Sequence, residues 1–267
     1  MNKYITLSDA TLRDGNHAIK HKLSISQIKA YAQGAEQAGL DIIEVGHGNG
    51  LGGSSCQLGE CNVSDVDMLA TAVSNCNRTK VGIHFIPGLG KDSDIDLAID
   101  IGVNVFRIAS HCTEANVTRR YIERIRSKEK TVYGVLMMSH MASDEALVMQ
   151  SKSLEMYGAQ GVVLMDSAGF STPRDVTEKI KRLSENISVP IGFHAHNNLG
   201  LAVANSIAAI DAGATIIDGC AKGFGAGAGN TQLEVLVAVL EKLEYQIGTS
   251  FKAVSYTHLT LPTTPYV

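Results

Sequence analysis

The feature that most constrains this chain is an alternation of short apolar runs with helical patterns, repeated at a spacing of about thirty residues, the length of one strand–helix unit. The predicted strands are Tyr4–Leu7, Ile42–Val45, Val81–Ile86, Val103–Ile108, Val132–Met137, Gly161–Met165, Pro190–His196 and Ala214–Gly219. Because the rhythm is unbroken over eight units, the pattern predicts an α/β fold, a closed (β/α)8 TIM barrel. An open doubly wound sheet is the alternative.

Helix signals lie between these strands. Ser24 followed by Gln27 forms a capping box ahead of an apolar stripe, and Gly39 ends that helix. Thr172 caps a later helix that has Pro173 at its first position. These signals are typical of helices that follow the strands of a barrel.

A barrel fixes where chemistry takes place, because active sites in this fold lie at the carboxyl ends of the strands. Polar residues with catalytic potential follow several predicted strands at that end: Arg13, Asp14, His17, His47, Ser167, His194 and His196. We therefore expect them to surround the barrel mouth.

The segment His194-Ala195-His196 gives the sharpest metal signal. Alternate residues of a strand point to one side, so both imidazoles can face one point. Two neutral imidazoles and one carboxylate can hold a divalent ion with open positions, and Asp14 is the best candidate carboxylate. The alternative is a polar strand end in which the two histidines bond to Asn197 and Asn198.

The first mouth segment also carries a cation and a candidate base. Arg13 would stabilise an oxyanion or enolate, or would pair with Glu44, and both can hold at once. His17 is a candidate general base, although a histidine in such a loop is more often a surface residue. His21 is a weaker candidate, and His47 is expected near the pocket. Three other histidines are expected to be structural: His84, His111 and His140.

Two glycine-rich loops accompany these residues. Gly223–Asn230 resembles a nucleotide-binding loop but lacks the acidic residue and the context of a dinucleotide site, so we expect a tight loop near the active centre. A phosphate-gripping loop is the alternative. Asn230 could orient the metal site. Gly46–Gly53 reads as a flexible mouth loop or lid.

Composition excludes several classes of function. The net charge is −4 and no basic patch points to nucleic acid. No apolar run approaches the ~18 residues of a membrane helix. Five scattered cysteines without a zinc-type pair indicate reduced thiols and a cytoplasmic protein.

The end of the chain changes character from Val254. The pattern there is neither helical nor that of a buried strand, and Val254–Leu259 reads like a translated sequencing adaptor. We therefore expect a TIM-barrel catalytic domain over residues 1–252 and a non-native tail over residues 253–267.

Four segments resemble the 4-hydroxy-2-oxovalerate aldolases, within a group of barrel metallolyases that includes HMG-CoA lyase and isopropylmalate synthase. They are Thr11–His21, Ile43–Ser55, His194–Gly200 and Gly225–Asn230. The Thr-Leu-Arg-Asp-Gly and His-x-His pieces are shared by the whole group. The continuation His-Ala-Ile-Lys-His and the loop His-Gly-x-Gly-Leu-x-Gly-Ser-Ser are typical of the aldolase branch.

The resemblance implies a divalent metal, typically manganese with Mg²⁺ or Co²⁺ as alternatives. The implied ligands are Asp14, His194 and His196. It also implies Arg13 as stabiliser of the pyruvate enolate, His17 as base on the 4-hydroxyl, and Ser167 as a substrate contact beside Arg13, Asp14 and His194. The implied reaction cleaves 4-hydroxy-2-oxopentanoate to pyruvate and acetaldehyde, within aromatic hydrocarbon catabolism.

The family further implies an acylating acetaldehyde dehydrogenase as partner, and we expect a homo-oligomer. Its members continue into a C-terminal helical region that supplies a tyrosine, and the sequence departs from the family there, since Tyr256 lies in the suspect tail. Two alternatives stay open. The chain could be an acyl-CoA condensing synthase or lyase of the same group, or a truncated, weakly active fragment.

Overall fold

The computed structural model describes residues 3–257, which form eight strands and nine α-helices. The strands are β1 Thr6–Leu12, β2 Ile42–Val45, β3 Lys80–Phe85, β4 Val105–His111, β5 Thr131–Met137, β6 Val162–Asp166, β7 Ile191–Ala195 and β8 Ile216–Gly219. The helices are α1 Ile25–Ala38, α2 Asp65–Val73, α3 Asp92–Ile101, α4 Arg119–Ser127, α5 Asp144–Met156, α6 Pro173–Ser184, α7 Ala202–Asp211, α8 Leu233–Lys242 and α9 Phe251–Thr257. Within residues 3–257, no helix is long and apolar enough to cross a membrane.

The strands close into a parallel barrel in sequence order, and β8 returns to pair with β1. The prediction of a closed (β/α)8 barrel is confirmed, and the open sheet is excluded. The main core lies between the strands and the surrounding helices. Inside the barrel, four buried side chains form a separate apolar cluster: Ala109, Val135, Val163 and Met165.

The predicted helix boundaries follow from local chemistry. The Ser24 hydroxyl accepts the N–H of Gln27 at 3.3 Å, and the Gln27 side chain accepts the N–H of Ser24 at 2.9 Å. Gly39 ends α1 with φ +74, a left-handed conformation that favours glycine. Thr172 and Pro173 begin α6 with the predicted cap. These signals were therefore sufficient to place both helices.

The first strand is longer than its sequence suggested. The prediction ended it at Leu7, whereas β1 continues to Leu12 and carries an irregularity between Asp9 and Leu12. Asp9 accepts the N–H of Thr11 at 2.9 Å and the hydroxyl of buried Tyr31 from α1. Because these polar groups are satisfied inside the fold, the strand runs on, and Arg13 is the first residue beyond it.

The C-terminal segment differs from expectation. Helix α9 spans Phe251–Thr257 and packs against α1 and α8, with Val254 fully buried. The expectation of no helical pattern from Val254 is therefore wrong over residues 254–257, because burial against neighbouring helices outweighs weak local propensity. Residues 258–267 lie outside the described part of the chain. The boundary at 252 and the non-native origin of the tail stay predictions.

Candidate active site at the barrel mouth

The structure brings the three predicted metal ligands together. Asp14 Oδ2 lies 3.2 Å from His194 Nε2 and 3.7 Å from His196 Nε2. The ligand atoms of the three residues all lie within 4.8 Å of one another. Asp14 follows the end of β1, His194 lies in β7 and His196 is one residue beyond it. Chain segments from both sides of β8 therefore meet at one point of the mouth.

The bonding of His194 tests whether this group fits a metal ion. Its Nδ1 lies 2.8 Å from the carboxylate of Asp218, which indicates that Nδ1 carries the proton and donates it. Its Nε2 is buried and has no hydrogen-bond partner among the described residues. In the neutral ring Nε2 carries no proton, so it and the Asp14 carboxylate are two electron-rich atoms that need a proton or a cation between them. A metal cation satisfies both, so the residues fit.

The electrostatics of the group agree with this fit. Burial alone would raise the pKa of Asp14, but Arg13 and the two histidines outweigh it and hold this pKa well below its usual range. Burial and the neighbouring His194 lower the pKa of His196 to about 4. Burial opposes the charged form of His194, yet the carboxylates of Asp14 and Asp218 raise its pKa. At neutral pH the group offers an anion, and a cation at its centre would take the place of the His194 proton.

The glycine-rich loop after β8 orients Asp14. The N–H of Ala226 donates to Asp14 Oδ1 at 3.2 Å, and Asn230 Nδ2 donates to Asp14 Oδ2 at 3.1 Å. A Cβ at Gly225 would lie 2.3 Å from Asn230 Nδ2, so only glycine lets the loop approach this closely. The tight loop expected from Gly223–Asn230 is what the structure shows.

Arg13 pairs with an acid and keeps one nitrogen free. Its Nε donates to Glu44 Oε2 at 2.9 Å, and its Nη1 lies 3.5 Å from Asp14 Oδ2. Its Nη2 is buried, and within the described residues no hydrogen-bond partner reaches it. The salt bridge to Glu44 thus fixes the guanidinium while one N–H group remains available for a ligand.

His17 lies in a 3₁₀ helix, Asp14–Ile19, and is half-buried. Its ring is 4.9 Å from that of His21, and burial lowers its pKa, so it is neutral at pH 7. A Cβ at Gly48 would lie 2.3 Å from His17 Nε2, which places this ring against the glycine-rich loop after β2. A neutral imidazole beside the ligand group is suited to accept a proton.

A second histidine group lies behind His17. Nitrogen and sulfur atoms of His21, His47 and Cys61 lie within 4.8 Å of one another. The rings of His21 and His47 stack at 3.8 Å, and both nitrogens of His47 are engaged, by the carbonyl of Gly59 and the N–H of Asn49. This group therefore fits a metal poorly, and His47 holds the loop in place.

Ser167 lies just after β6, at the same end of the barrel. Its hydroxyl accepts the N–H of Met138, which follows β5, at 3.0 Å. The contact ties two mouth loops together, and the substrate contact expected for Ser167 stays a prediction.

The sequence pattern singled out neither Arg107 nor Asp218, which are buried near the ligands. Arg107 in β4 donates to Asp218 in β8 at 2.6 Å, and also pairs with Glu44 in β2. His84 in β3 is buried, and its Nδ1 lacks a partner in the described part of the chain. The available signal was a charge within an otherwise apolar predicted strand, as in Val103–Ile108.

Comparison with known proteins gives consistent matches. Residues 4–258 match the HMGL-like family. A 4-hydroxy-2-oxovalerate aldolase from Burkholderia pseudomallei strain K96243 is 61% identical over 250 residues, which cover 94% of this chain and 72% of that protein. A 4-hydroxy-2-oxovalerate aldolase from Spirochaeta aurantia is 55% identical over 245 residues, which cover 91% of this chain and 72% of that protein. The crystal structure of the N-terminal domain of a candidate aldolase from Bacteroides vulgatus superposes with a TM-score of 0.82 at 26% identity, covering 96% of this chain and 85% of that one.

Proposed function

The chain belongs to the HMGL-like family and, within it, to the 4-hydroxy-2-oxovalerate aldolases, and we propose that it is a carbon–carbon lyase for 4-hydroxy-2-oxo acids. With 4-hydroxy-2-oxopentanoate the products are pyruvate and acetaldehyde. The observation that carries the proposal is the convergence of Asp14, His194 and His196 beside Arg13. Cleavage of such an acid leaves negative charge on the C2 oxygen, and this is a site built to hold it.

We propose that Asp14, His194 and His196 hold one divalent cation, Mn²⁺ or another such as Mg²⁺ or Co²⁺. The support is the donor set, which combines one ionised carboxylate with two imidazoles, one of which has a buried, unpartnered nitrogen. When bound there, the metal supplies Lewis-acid polarisation of the C2 carbonyl.

The remaining roles belong to the chain's own side chains. His17 takes the proton of the C4 hydroxyl, and the electrons of the C3–C4 bond move toward the C2 oxygen as the aldehyde leaves. Arg13 donates through its free Nη2 to the enolate oxygen that forms. The enolate then takes a proton from solvent at C3, while His17 returns to solvent the proton that it removed, and pyruvate is formed. Substrate contacts are proposed for four residues: Arg13, Asp14, Ser167 and His194.

The wider setting is also part of the proposal. We infer a cytoplasmic enzyme, because Cys56, Cys61, Cys76, Cys112 and Cys220 are all free thiols. We further propose a homo-oligomer that passes its aldehyde to an acylating acetaldehyde dehydrogenase, in the breakdown of aromatic compounds.

The direct test is pyruvate release. Protein loaded with Mn²⁺ is incubated with 4-hydroxy-2-oxopentanoate, and pyruvate is followed through lactate dehydrogenase and NADH. We expect steady release that drops at least tenfold after chelation and in Asp14→Asn. Asp41→Asn is the matched control, because Asp41 bonds to Tyr4 and Leu7 at the opposite end of the barrel.

One result would redirect the proposal. A synthase of the same group would release no pyruvate and would instead free coenzyme A from acetyl-CoA in the presence of a 2-oxo acid. Free thiol appearing in that assay, with no pyruvate in the first, overturns the aldolase.

A further inference from the structure

Six buried ionisable groups form a closed ring across the barrel lumen. Their order is Arg13, Glu44, Arg107, Asp218, His194 and Asp14. No side chain in the ring is more than 5% exposed. Strands β4 and β8 are not neighbours in the sheet, so the contact of Arg107 with Asp218 crosses the inside of the barrel.

Arg107 joins the two sides of this ring. One of its terminal nitrogens pairs with Glu44 Oε1, and the other donates to Asp218 Oδ2 at 2.6 Å. The second oxygen of Glu44 holds Arg13 Nε at 2.9 Å, and the Asp218 carboxylate holds His194 Nδ1 at 2.8 Å. One planar guanidinium thus contacts both of the carboxylates that orient the groups facing the substrate.

The charges of the ring favour a cation at its open point. Two arginines and three carboxylates give a net charge of −1 when His194 is neutral. The carboxylate that faces the mouth is Asp14, the one that contacts His194 Nε2. Without Arg107, Glu44 and Asp218 would be like charges in a buried space, each left with one ionisable partner, Arg13 or His194.

We propose that Arg107 is a positioning residue for the active centre. Through Asp218 it keeps the proton of His194 on Nδ1 and leaves Nε2 free as a ligand. Through Glu44 it turns Arg13 so that Nη2 faces the substrate. The inference rests on the site of the proposed function, but its first readout is the tautomer of a histidine in metal-free protein and requires no turnover.

The experiment follows the ¹⁵N signals of His194 in metal-free protein at alkaline pH, where the ring holds a single proton, together with Mn²⁺ affinity. Arg107 and His194 Nδ1 both contact Oδ2 of Asp218, so Asp218→Ala removes the acceptor of the Nδ1 proton, and the proton is expected on Nε2, where the Asp14 carboxylate can accept it. We expect this tautomer change and a 10–100-fold loss of Mn²⁺ affinity, the range found for outer partners of metal-bound histidines. In Arg107→Lys the single ammonium cannot contact both carboxylates, and we expect Mn²⁺ affinity to fall at least tenfold.

The double variant separates positioning from general destabilisation. If Arg107 acts on the metal ligands through Asp218, Arg107→Lys adds no more than a threefold loss of Mn²⁺ affinity to that of Asp218→Ala. Losses that multiply, or a His194 that keeps its proton on Nδ1 in Asp218→Ala, overturn the proposal. Asp41→Asn, at the far end of the barrel, should leave both readouts unchanged.

If Arg107→Lys does not fold, a second variant, Glu44→Gln, tests the same coupling. Glu44→Gln removes a charge that Arg107 contacts and His194 does not. We expect the His194 ¹⁵N signals to shift, because Arg107 follows its remaining carboxylate. Unchanged His194 signals in Glu44→Gln would refute the coupling. Altered signals with no pyruvate release from the wild type would leave Arg107 in its role and remove the aldolase.

Discussion

Replacing His194 with alanine removes the ligand with the clearest metal signature. Its Nε2 is buried without a hydrogen-bond partner in the described residues, and its Nδ1 is fixed by Asp218. The loss of one of three protein ligands should weaken Mn²⁺ binding by more than tenfold, or ~1.4 kcal/mol. The remaining ligands, Asp14 and His196, still face the same point but bind through two atoms.

Metal-dependent thermal stability measures this loss. Mn²⁺ at 100 times the wild-type dissociation constant stabilises the folded protein by about 2.7 kcal/mol, and a tenfold weaker site leaves about 1.4 kcal/mol at the same concentration. Melting curves with and without metal, and a direct calorimetric titration, give the two values independently.

A matched histidine controls for the substitution itself. His111 lies at the end of β4 and bonds to Thr113, outside the ligand group. His111→Ala should retain the metal-induced stabilisation of the wild type. An unchanged Mn²⁺ affinity in His194→Ala would refute the assignment of the metal centre and the lyase mechanism built on it.

Four further outcomes are expected. His17→Ala should lower kcat/KM by roughly 10²–10⁴-fold while Mn²⁺ affinity in calorimetry stays within threefold, and near-normal turnover would exclude the base role. Because burial lowers the pKa of His17, this base stays neutral down to its ordinary value of about 6.5; kcat/KM of the metal-saturated enzyme should fall only below that pH, and an acid limb centred above pH 7 would contradict this. Gly48→Ala should reduce kcat at least tenfold with the melting temperature little changed, because its Cβ would lie 2.3 Å from His17 Nε2; normal kinetics would show that the ring is free to move. Ser24→Ala should cost about 1 kcal/mol in urea unfolding through the lost cap of α1, with kcat unaffected.

The fold was largely readable because a barrel repeats one local pattern. Most of the strands contain an apolar run and several helices carry boundary signals of their own, so no long-range information was needed to find the units. The error at β1 has a physical origin. Ser8, Asp9 and Thr11 look like loop residues, yet the structure buries them with partners on other elements, among them Tyr31 of α1. A polar strand whose partners lie far along the chain cannot be distinguished locally from a loop.

The sequence predicted the proposed metal ligands of the candidate site but not the buried residues that orient them. Asp14, His194 and His196 lie in short motifs at predicted strand ends, so their spacing and the predicted barrel together indicated them. Arg107 and Asp218 are 111 positions apart and meet only because the barrel closes, so neither carries a local signal beyond a charge within an apolar run. The groups that orient the ligands are thus the part of the site that a sequence pattern does not contain.

A comparison of the two halves of the barrel lumen indicates why the ring of charged side chains through Arg107 is present. Around β4 to β6 the interior is filled by the apolar side chains Ala109, Val135, Val163 and Met165, as is usual inside such barrels. The ring through Arg107 instead buries charges, and a buried ion pair is often no more stabilising than apolar residues of the same volume. Stability therefore gives no reason to place these charges in the lumen. The orientation of Arg13 and His194 gives such a reason, because a site that stabilises an enolate requires a fixed guanidinium and a fixed histidine tautomer.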